Sequence, residues 1–382
     1  MQSVIIVRKK PTMSEVIVRT SAYDERRLRP LLFDMLARLD GGRIQRGTRV
    51  LVKPNLLSPA APDDAVLTHP LVVKAVVEYV LDKGAGVQLS DSPAMGSFER
   101  ILRVSGIGDA IKGLGVVCKP FESSVSVDVG KPFDRIEMAE DALNADLIIN
   151  LPKLKTHGNM LLTLAVKNMF GCIVGFRKPE WHMRAGVDRD MFAKLLVRIH
   201  DRVRPAFAIL DGILAMEGEG PGKSGVPRQL GVLMGSQDGP AVDEAVCRMI
   251  GVDPLLLPTH KAAQAFGLID GKLEIDGRLP QVPHFRLPEI APLIYGPKAL
   301  HGFIRRHLVQ RPVPDSTRCK MCGECWKICP AKAITARKSD LSFDYDRCIR
   351  CYCCIEVCPY SALRAVETTA GRAIRRAAFK IF

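Results

Sequence analysis

The sequence predicts an α/β domain built on a largely parallel sheet with helices on both faces, followed by a small C-terminal α+β domain. Three observations predict it. Over residues 1–295, short apolar runs of strand length alternate with amphipathic helical segments, the pattern of a parallel sheet covered on both sides. Polar and charged residues gather directly after those runs, where ligands sit in such sheets. Beyond a proline-rich stretch, a cysteine-rich segment is written twice. A length of 382 residues fits two or three domains, and an apolar fraction of 47% is ample for a real core. No run approaches the ~18 uninterrupted apolar residues that a spanning helix needs.

Each element has its own signal. RVLVK from Arg49 is a short apolar strand. HPLVVKAVVEYVLDKG from His69 is a helix that ends at Gly84, a residue suited to a left-handed cap. GVQLSD from Gly86, DLIINLP from Asp146, FAILDG from Phe207 and LGVLMG from Leu230 are further strands. DRDMFAKLLVRIHDRV from Asp188 is a helix carrying Met191, Phe192, Leu195, Leu196 and Ile199 on one face. Breakers from Leu279 through Pro283, Pro288, Pro292 and Pro297 mark the exit from this domain.

The C-terminal segment reads RCKMCGECWKICPAKAI from Arg318 and RCIRCYCCIEVCPYSAL from Arg347, offset by 29 residues. Each copy is C-x-x-C-x-x-C-x-x-x-C-P. That spacing holds [4Fe-4S] clusters, with three thiolates from one copy and the fourth crossing to the other copy's cluster. One cluster is thus expected on Cys319, Cys322, Cys325 and Cys358, and the second on Cys348, Cys351, Cys354 and Cys329. Pro330 and Pro359 turn the chain away from each cluster loop. The segment from about Asp315 to about Val366 resembles the bacterial two-cluster ferredoxin module. Zinc ribbons instead show two separated C-x-x-C halves. Disulfides are disfavoured because the N-terminus, MQSVIIVRKKPTMSEV, lacks a signal-peptide pattern, so a reducing compartment, the cytoplasm, is expected. Cys353 falls outside the ligand register and reads as a spare thiol; Cys118, Cys172 and Cys247 read as buried small hydrophobes.

The net charge of +14 is unevenly spread. Lys298, Arg305, Arg306 and Arg311 precede the cysteine module without an intervening acid, and Arg372, Arg375, Arg376 and Lys380 follow it. The expected organisation is therefore an α/β domain at 1–295, a basic linker at 296–314, the two-cluster domain at 315–368 and a basic tail at 369–382. The flanks suit an acidic electron-transfer partner or peripheral contact with anionic lipid. Nucleic acid is disfavoured, since no aromatic-interleaved or zinc-type motif accompanies them.

The strand ends carry Lys53-Pro54-Asn55, Asp91-Ser92-Pro93, Lys153-Leu154-Lys155-Thr156-His157 and Asp211-Gly212. If the segment from Lys153 is extended, Lys153, Lys155 and His157 share one face. LLTLAVKNMFGCIVG embeds Lys167-Asn168 in an apolar run, where a lysine is rarely buried without a partner or a task. AMEGEGPGKSG from Ala215 is a glycine-rich loop but no P-loop, because Glu217 stands where the first glycine is required. No strand is followed by G-x-G-x-x-G, so a nicotinamide or flavin fingerprint is absent.

The strings VLVKPNLL, THP, SDSP, INLPKLKTH, LAVKNMFG, LDGI, AMEGEGP and AVDEAVCRMIG together resemble the domain-of-unknown-function 362 family, over roughly Arg49 to Pro254. The resemblance implies an α/β fold, often with a C-terminal ferredoxin module, and motif positions that include His69, Gly171, Glu217, Gly220 and Asp243. It implies no reaction.

Two functional readings follow. In the first, the clusters relay single electrons to an anionic substrate or cofactor at the strand ends. Its candidate catalytic residues are His157, Lys155, Lys153, Lys167, Asp91 and Asp211; Lys53, Asn55, Asn168, Gly171, Glu217 and Gly220 are the candidate cofactor-binding residues. Lys53, Lys153 and Lys155 bind the anion, and His157 supplies a proton. Asp91 or Asp211 orients His157 or a lysine, and Asn55 and Asn168 stabilise developing negative charge. In the second reading the protein is a non-enzymatic carrier or assembly adapter whose α/β domain docks a partner or senses a ligand. An electron donor or acceptor protein is a partner in either case.

Overall fold

The computed structural model describes residues 13–372 apart from 176, 186–187, 270, 290–302, 304–306 and 338–339. Most of the basic flanks, including Lys298, Arg305, Arg306, Arg375, Arg376 and Lys380, lie outside the described residues.

The α/β domain contributes β1 (Met13–Thr20), β2 (Arg49–Pro54), β3 (Gly86–Leu89), β4 (Val117–Cys118), β5 (Ser124–Gly130), β6 (Asp134–Ala139), β7 (Leu147–Leu151), β8 (Lys153–His157), β9 (Leu161–Thr163), β10 (Phe207–Gly218), β11 (Gly225–Ser236) and β12 (Lys272–Asp276). The main sheet runs β12-β1-β11-β10-β7-β2-β3-β4, with β8 and β9 attached beside β10. Neighbours from β10 through β7, β2 and β3 to β4 are parallel, as are β1 with β12 and β10 with β8. Antiparallel pairing enters at β1–β11, β10–β11 and β8–β9. The sheet is therefore largely parallel, as the strand–helix alternation predicts.

Side-chain alternation shows that both faces are covered. Val50 and Val52 of β2, and Leu147, Ile149 and Leu151 of β7, enter one core with the helices Glu25–Asp40 and Pro70–Asp82. Leu51 and Ile148 enter the opposite core with the helix Arg189–Val203. A third apolar group packs Ala208 and Leu210 of β10 against the helix Gly239–Met249. Full burial of a Leu or Ile contributes roughly 1.5–3 kcal/mol, so the two-sided pattern of β2 and β7 pins their register.

Two local findings differ from the sequence reading. The glycine-rich stretch is strand at both ends: β10 extends to Gly218 and β11 begins at Gly225, so 215–218 pair with 225–228 and the loop is limited to 219–224. Cys118 is exposed, because β4 is a two-residue strand at the open edge of the sheet; Cys172 and Cys247 are buried as expected.

The cysteine module carries two two-stranded sheets, β13 (Arg311–Pro314) with β16 (Leu363–Val366) and β14 (Ile334–Arg337) with β15 (Asp340–Phe343). Its short helices Glu324–Ile328 and Cys353–Glu356 follow the third register position of each motif or overlap it, and they face the α/β domain.

Candidate functional site

Each cysteine quartet expected from the spacing surrounds its own small cavity. Cys319, Cys322, Cys325 and Cys358 line one; Cys329, Cys348, Cys351 and Cys354 line the other. All are free thiols. The amides of Ala333 and Ala362 already donate to Cys329 Sγ at 3.3 Å and Cys358 Sγ at 3.2 Å, a contact that suits thiolate ligands. The donor sets thus fit two [4Fe-4S] clusters.

Between the two domains lies a cleft of about 390 Å3. The α/β domain supplies Lys53, Asn55, Asp91, Lys155, His157, Lys167, Asn168, Gly171, Lys178 and His182. The cysteine module supplies Glu324, Lys327, Ile328, Cys353, Glu356 and Val357. Cys353 lines both this cleft and the cavity of Cys329, Cys348, Cys351 and Cys354. The thiol that is surplus to the ligand register therefore stands in the wall between a ligand-sized cleft and a cluster site.

The floor of the cleft is a polar network. Lys53 Nζ lies 2.9 Å from Asp91 Oδ1 and donates to the Pro54 carbonyl. Asp91 also accepts from the Leu56 and Ser92 amides, so its lone pairs are well used. Gly171 packs on this pair: a Cβ there would lie 2.1 Å from Asp91 Oδ1 and 2.5 Å from Lys53 Nζ, so only glycine fits. Asp91 thus orients Lys53, not His157. The donors of Asn55 and Asn168 are also occupied: Asn55 Nδ2 donates to Asn168 Oδ1 at 2.8 Å, and Asn168 Nδ2 donates to Asn150 Oδ1 at 2.8 Å. They hold the floor rigid and do not point free donors at a ligand.

β8 is fully buried, and the alternation places Leu154 in the apolar core. Lys153 does not reach the cleft. Its ammonium lies 2.8 Å from Asp211 Oδ2 and 2.9 Å from Tyr23 Oη, in a buried cluster where Tyr23 stacks on His69 at 3.5 Å. Asp211 is spent on Lys153, Tyr23 and the His69 amide. A register break in β10 between Asp211 and Met216 separates the partners of Lys153 and Lys155. Lys155 Nζ donates instead to the Val66 carbonyl at 2.7 Å at the cleft. Burial, then Lys167, pushes Lys155 well below the usual lysine range.

His157 Nδ1 accepts from the Asn159 and Met160 amides at 3.1 and 3.2 Å, which leaves its proton on Nε2. Nε2 faces Glu356 Oε1 at 3.2 Å, across the junction between the domains. Burial, then the charge of Lys167, holds the imidazole well below its ordinary value, so it is neutral. Lys167 rides on the helix Ala165–Asn168, whose first amides donate to buried Asp243. Burial lowers its pKa, opposed by Glu356 and Cys353.

Glu217 and Gly220 are not in the cleft. Glu217 is bound by Arg228 and Arg286 at 2.7 and 2.6 Å beside the β10–β11 hairpin. The Gly220 amide donates to Thr156 Oγ1, and the close approach to Thr156 excludes a side chain. The adjacent Gly222 packs on the cysteine module: a Cβ there would lie 2.6 Å from the Glu356 carbonyl oxygen.

The titratable cleft residues that the sequence reading missed are Lys178, His182, Glu324, Lys327 and Glu356. Lys178 donates to the Ser92 carbonyl, and burial pushes it down to about 8. His182 packs between Phe170 and Phe192, and burial lowers it to about 3. Both lie on the helix Arg177–Ala185, whose apolar period is too short to announce itself. Glu356 follows a ligand cysteine and reads as part of the cluster motif.

Comparison with known proteins agrees with this architecture. Residues 50–248 match the domain of unknown function DUF362, and residues 318–362 match the 4Fe-4S dicluster domain. The chain is 33% identical over 303 residues to the thylakoid-associated protein sll1697 of Synechocystis sp., covering 77% of this chain and 94% of that protein. Among solved structures, the lactate racemase apoprotein from Thermoanaerobacterium thermosaccharolyticum aligns with a TM-score of 0.34 at 12% identity, over 58% of this chain and 54% of that chain. A likeness that weak carries no argument about fold or activity. The dicluster domain gives the protein two [4Fe-4S] clusters, an electron-transfer role and, with it, an electron-transfer partner. By its matched residues and this relative, the chain belongs to the DUF362 family and joins that domain to a C-terminal 4Fe-4S dicluster domain.

Proposed function

We propose that the protein is an iron–sulfur reductase whose acceptor, an anionic small molecule, binds in the interdomain cleft. One observation carries this reading: Cys353 lines both the cleft and the cavity of Cys329, Cys348, Cys351 and Cys354, so a ligand and a cluster share a wall. When bound, each cluster supplies one electron, so two electrons from an external low-potential donor reach the acceptor, which takes up two protons. Lys155 and Lys167 hold the anionic end, and His157 keeps its Nε2 proton directed at Glu356 beside that end. Lys53 and Lys153 act through Asp91 and Asp211 as fixed floor and support.

Ligand burial supports an order of transfer. Cys322 of the first quartet is exposed, whereas every cysteine of the second quartet is buried or half-buried. The first quartet would hold its cluster on the side more open to a donor protein, and the second would hold its cluster in the cavity that shares Cys353 with the cleft. No helix among the described residues is long and apolar enough to cross a membrane. We place the protein in a reducing compartment, the cytoplasm, with peripheral contact to an anionic membrane through its basic flanks, in keeping with a relative named for thylakoid association. Anaerobic reduction, removal of excess reductant and addition of a fractionated pool of anionic metabolites tests the function. Reoxidation by one fraction, lost in Lys155→Ala/His157→Ala, is expected. Reoxidation only by other redox proteins, equal in the variant, would make the α/β domain a docking element.

A further inference from the structure

The charges of the cleft specify more than an anion. Six ammonium groups lie in or under it; Lys327 is exposed and lies 3.6 Å from Glu324, and the other five divide by their partners. Lys53 and Lys153 each have a carboxylate within 2.9 Å. Lys155 and Lys178 have only the carbonyls of Val66 and Ser92, and Lys167 makes no hydrogen bond or ion pair among the described residues. The three without a carboxylate all line the cleft, and Lys153, which has one, does not.

Among the side chains that line the cleft, Lys53, Lys155, Lys167, Lys178 and Lys327 face Asp91, Glu324 and Glu356, so the lining carries two more positive groups than negative ones. Taking an ammonium out of water without a counter-ion costs several kcal/mol. Without a ligand that excess is relieved by proton loss, the direction in which Lys155, Lys167 and Lys178 are all pushed; a ligand that brings negative charge lets them stay charged. We propose that the cleft is built for a dianion, a small molecule with two formal negative charges, one anionic end held by Lys155 and Lys167 and the other by Lys178. Lys167 lies near enough to act electrostatically on both Lys155 and Lys178.

Two further features fit such a ligand. Two buried polar atoms able to donate and without a partner among the described residues, Thr163 Oγ1 and His182 Nδ1, belong to residues of this cleft, so hydrogen-bonding capacity is held in reserve beside the lysines. Leu56, Met95 and Phe170 give the same cleft an apolar side for a carbon skeleton, and its volume lies within the ~300–1,000 Å3 usual for small-molecule sites. A dicarboxylate and a phosphate monoester share the required chemistry.

The inference rests on the cleft being the acceptor site, and binding separates it from catalysis. Calorimetric titration of the oxidised, cluster-loaded full chain would use succinate, glutarate and glycerol 3-phosphate as dianions, butyrate as a monoanion and succinamide as a neutral analogue. At least one dianion is expected to bind tenfold or more tightly than butyrate, with that preference lost in Lys167→Met and, separately, in Lys178→Met. The partly exposed Lys167 is the variant least able to disturb folding, and unchanged cluster absorbance checks it. The dicarboxylate and phosphate arms identify which source of the double charge the cleft takes. Equal binding of butyrate and the dianions, or no binding of any dianion, would overturn the proposal. A dianion that binds without reoxidising the clusters leaves it standing and contradicts only the reductase reading.

Discussion

His157 Nε2 lies 3.2 Å from Glu356 Oε1, and this is where the α/β domain and the cysteine module meet over the cleft. The imidazole is fixed from behind by two backbone amides, and the carboxylate stands on a helix between two cluster cysteines. The two domains thus share one polar wall, and the position of the module depends on small residues nearby.

Gly222 is such a residue. A methyl group there meets the Glu356 carbonyl at 2.6 Å, so Gly222→Ala pushes the helix Cys353–Glu356 away. Overpacking of this kind costs about 1–3 kcal/mol. Iron content is expected to be unchanged while single-turnover reoxidation by a cleft ligand slows at least tenfold, measured by stopped-flow absorbance.

The Lys153–Asp211 pair is buried on both sides. Removing one partner strands the other charge, so Lys153→Ala is expected to lower stability by roughly 3–5 kcal/mol. Lys153→Met with Asp211→Leu should recover a large part of that loss in denaturant melts, because neither charge is then left alone.

His69 caps the helix Pro70–Asp82 by accepting the Leu71 amide on Nδ1, which requires a neutral ring. Burial, opposed by Asp211, lowers its pKa to about 4. Between pH 6.5 and 4 the unfolded chain binds a proton that the folded one does not, so this contribution to stability is present above 6.5 and is lost as pH falls through 4. The loss is on the order of 2 kcal/mol after allowance for solvent screening. His69→Asn, which also caps, should flatten that part of the stability–pH profile.

Lys178 is pushed down to about 8 by burial. It is charged below that value and neutral above it, so affinity for a dianion is expected to fall as pH rises past 8. In Lys178→Met the titration should show no such fall.

Much of this was legible in the chain. The cysteine spacing placed both quartets because their contacts are local or repeat at a fixed offset; of the three β8 residues expected to point together, Lys155 and His157 reach the cleft and Lys153 does not. Which lysine is neutralised was not legible. Asp91 and Asp211 each choose a lysine through distant strand ends, and the break in β10 that diverts Lys153 has no sequence signal. Lys178, His182 and Glu356 were hidden because each joins the cleft from an element whose local pattern reads as something else, a short helix or a cluster motif.

The most direct test of the central claim is a redox titration, followed by electron paramagnetic resonance, of the full chain with and without the tightest-binding dianion. An anion beside one cluster makes that cluster harder to reduce. The account predicts that at least one of the two midpoint potentials becomes more negative with the dianion and that the shift disappears in Lys155→Ala/Lys167→Met. Two potentials unmoved by a saturating dianion, or a shift that persists in the variant, would show that the cleft and the cluster beside Cys353 are not in communication.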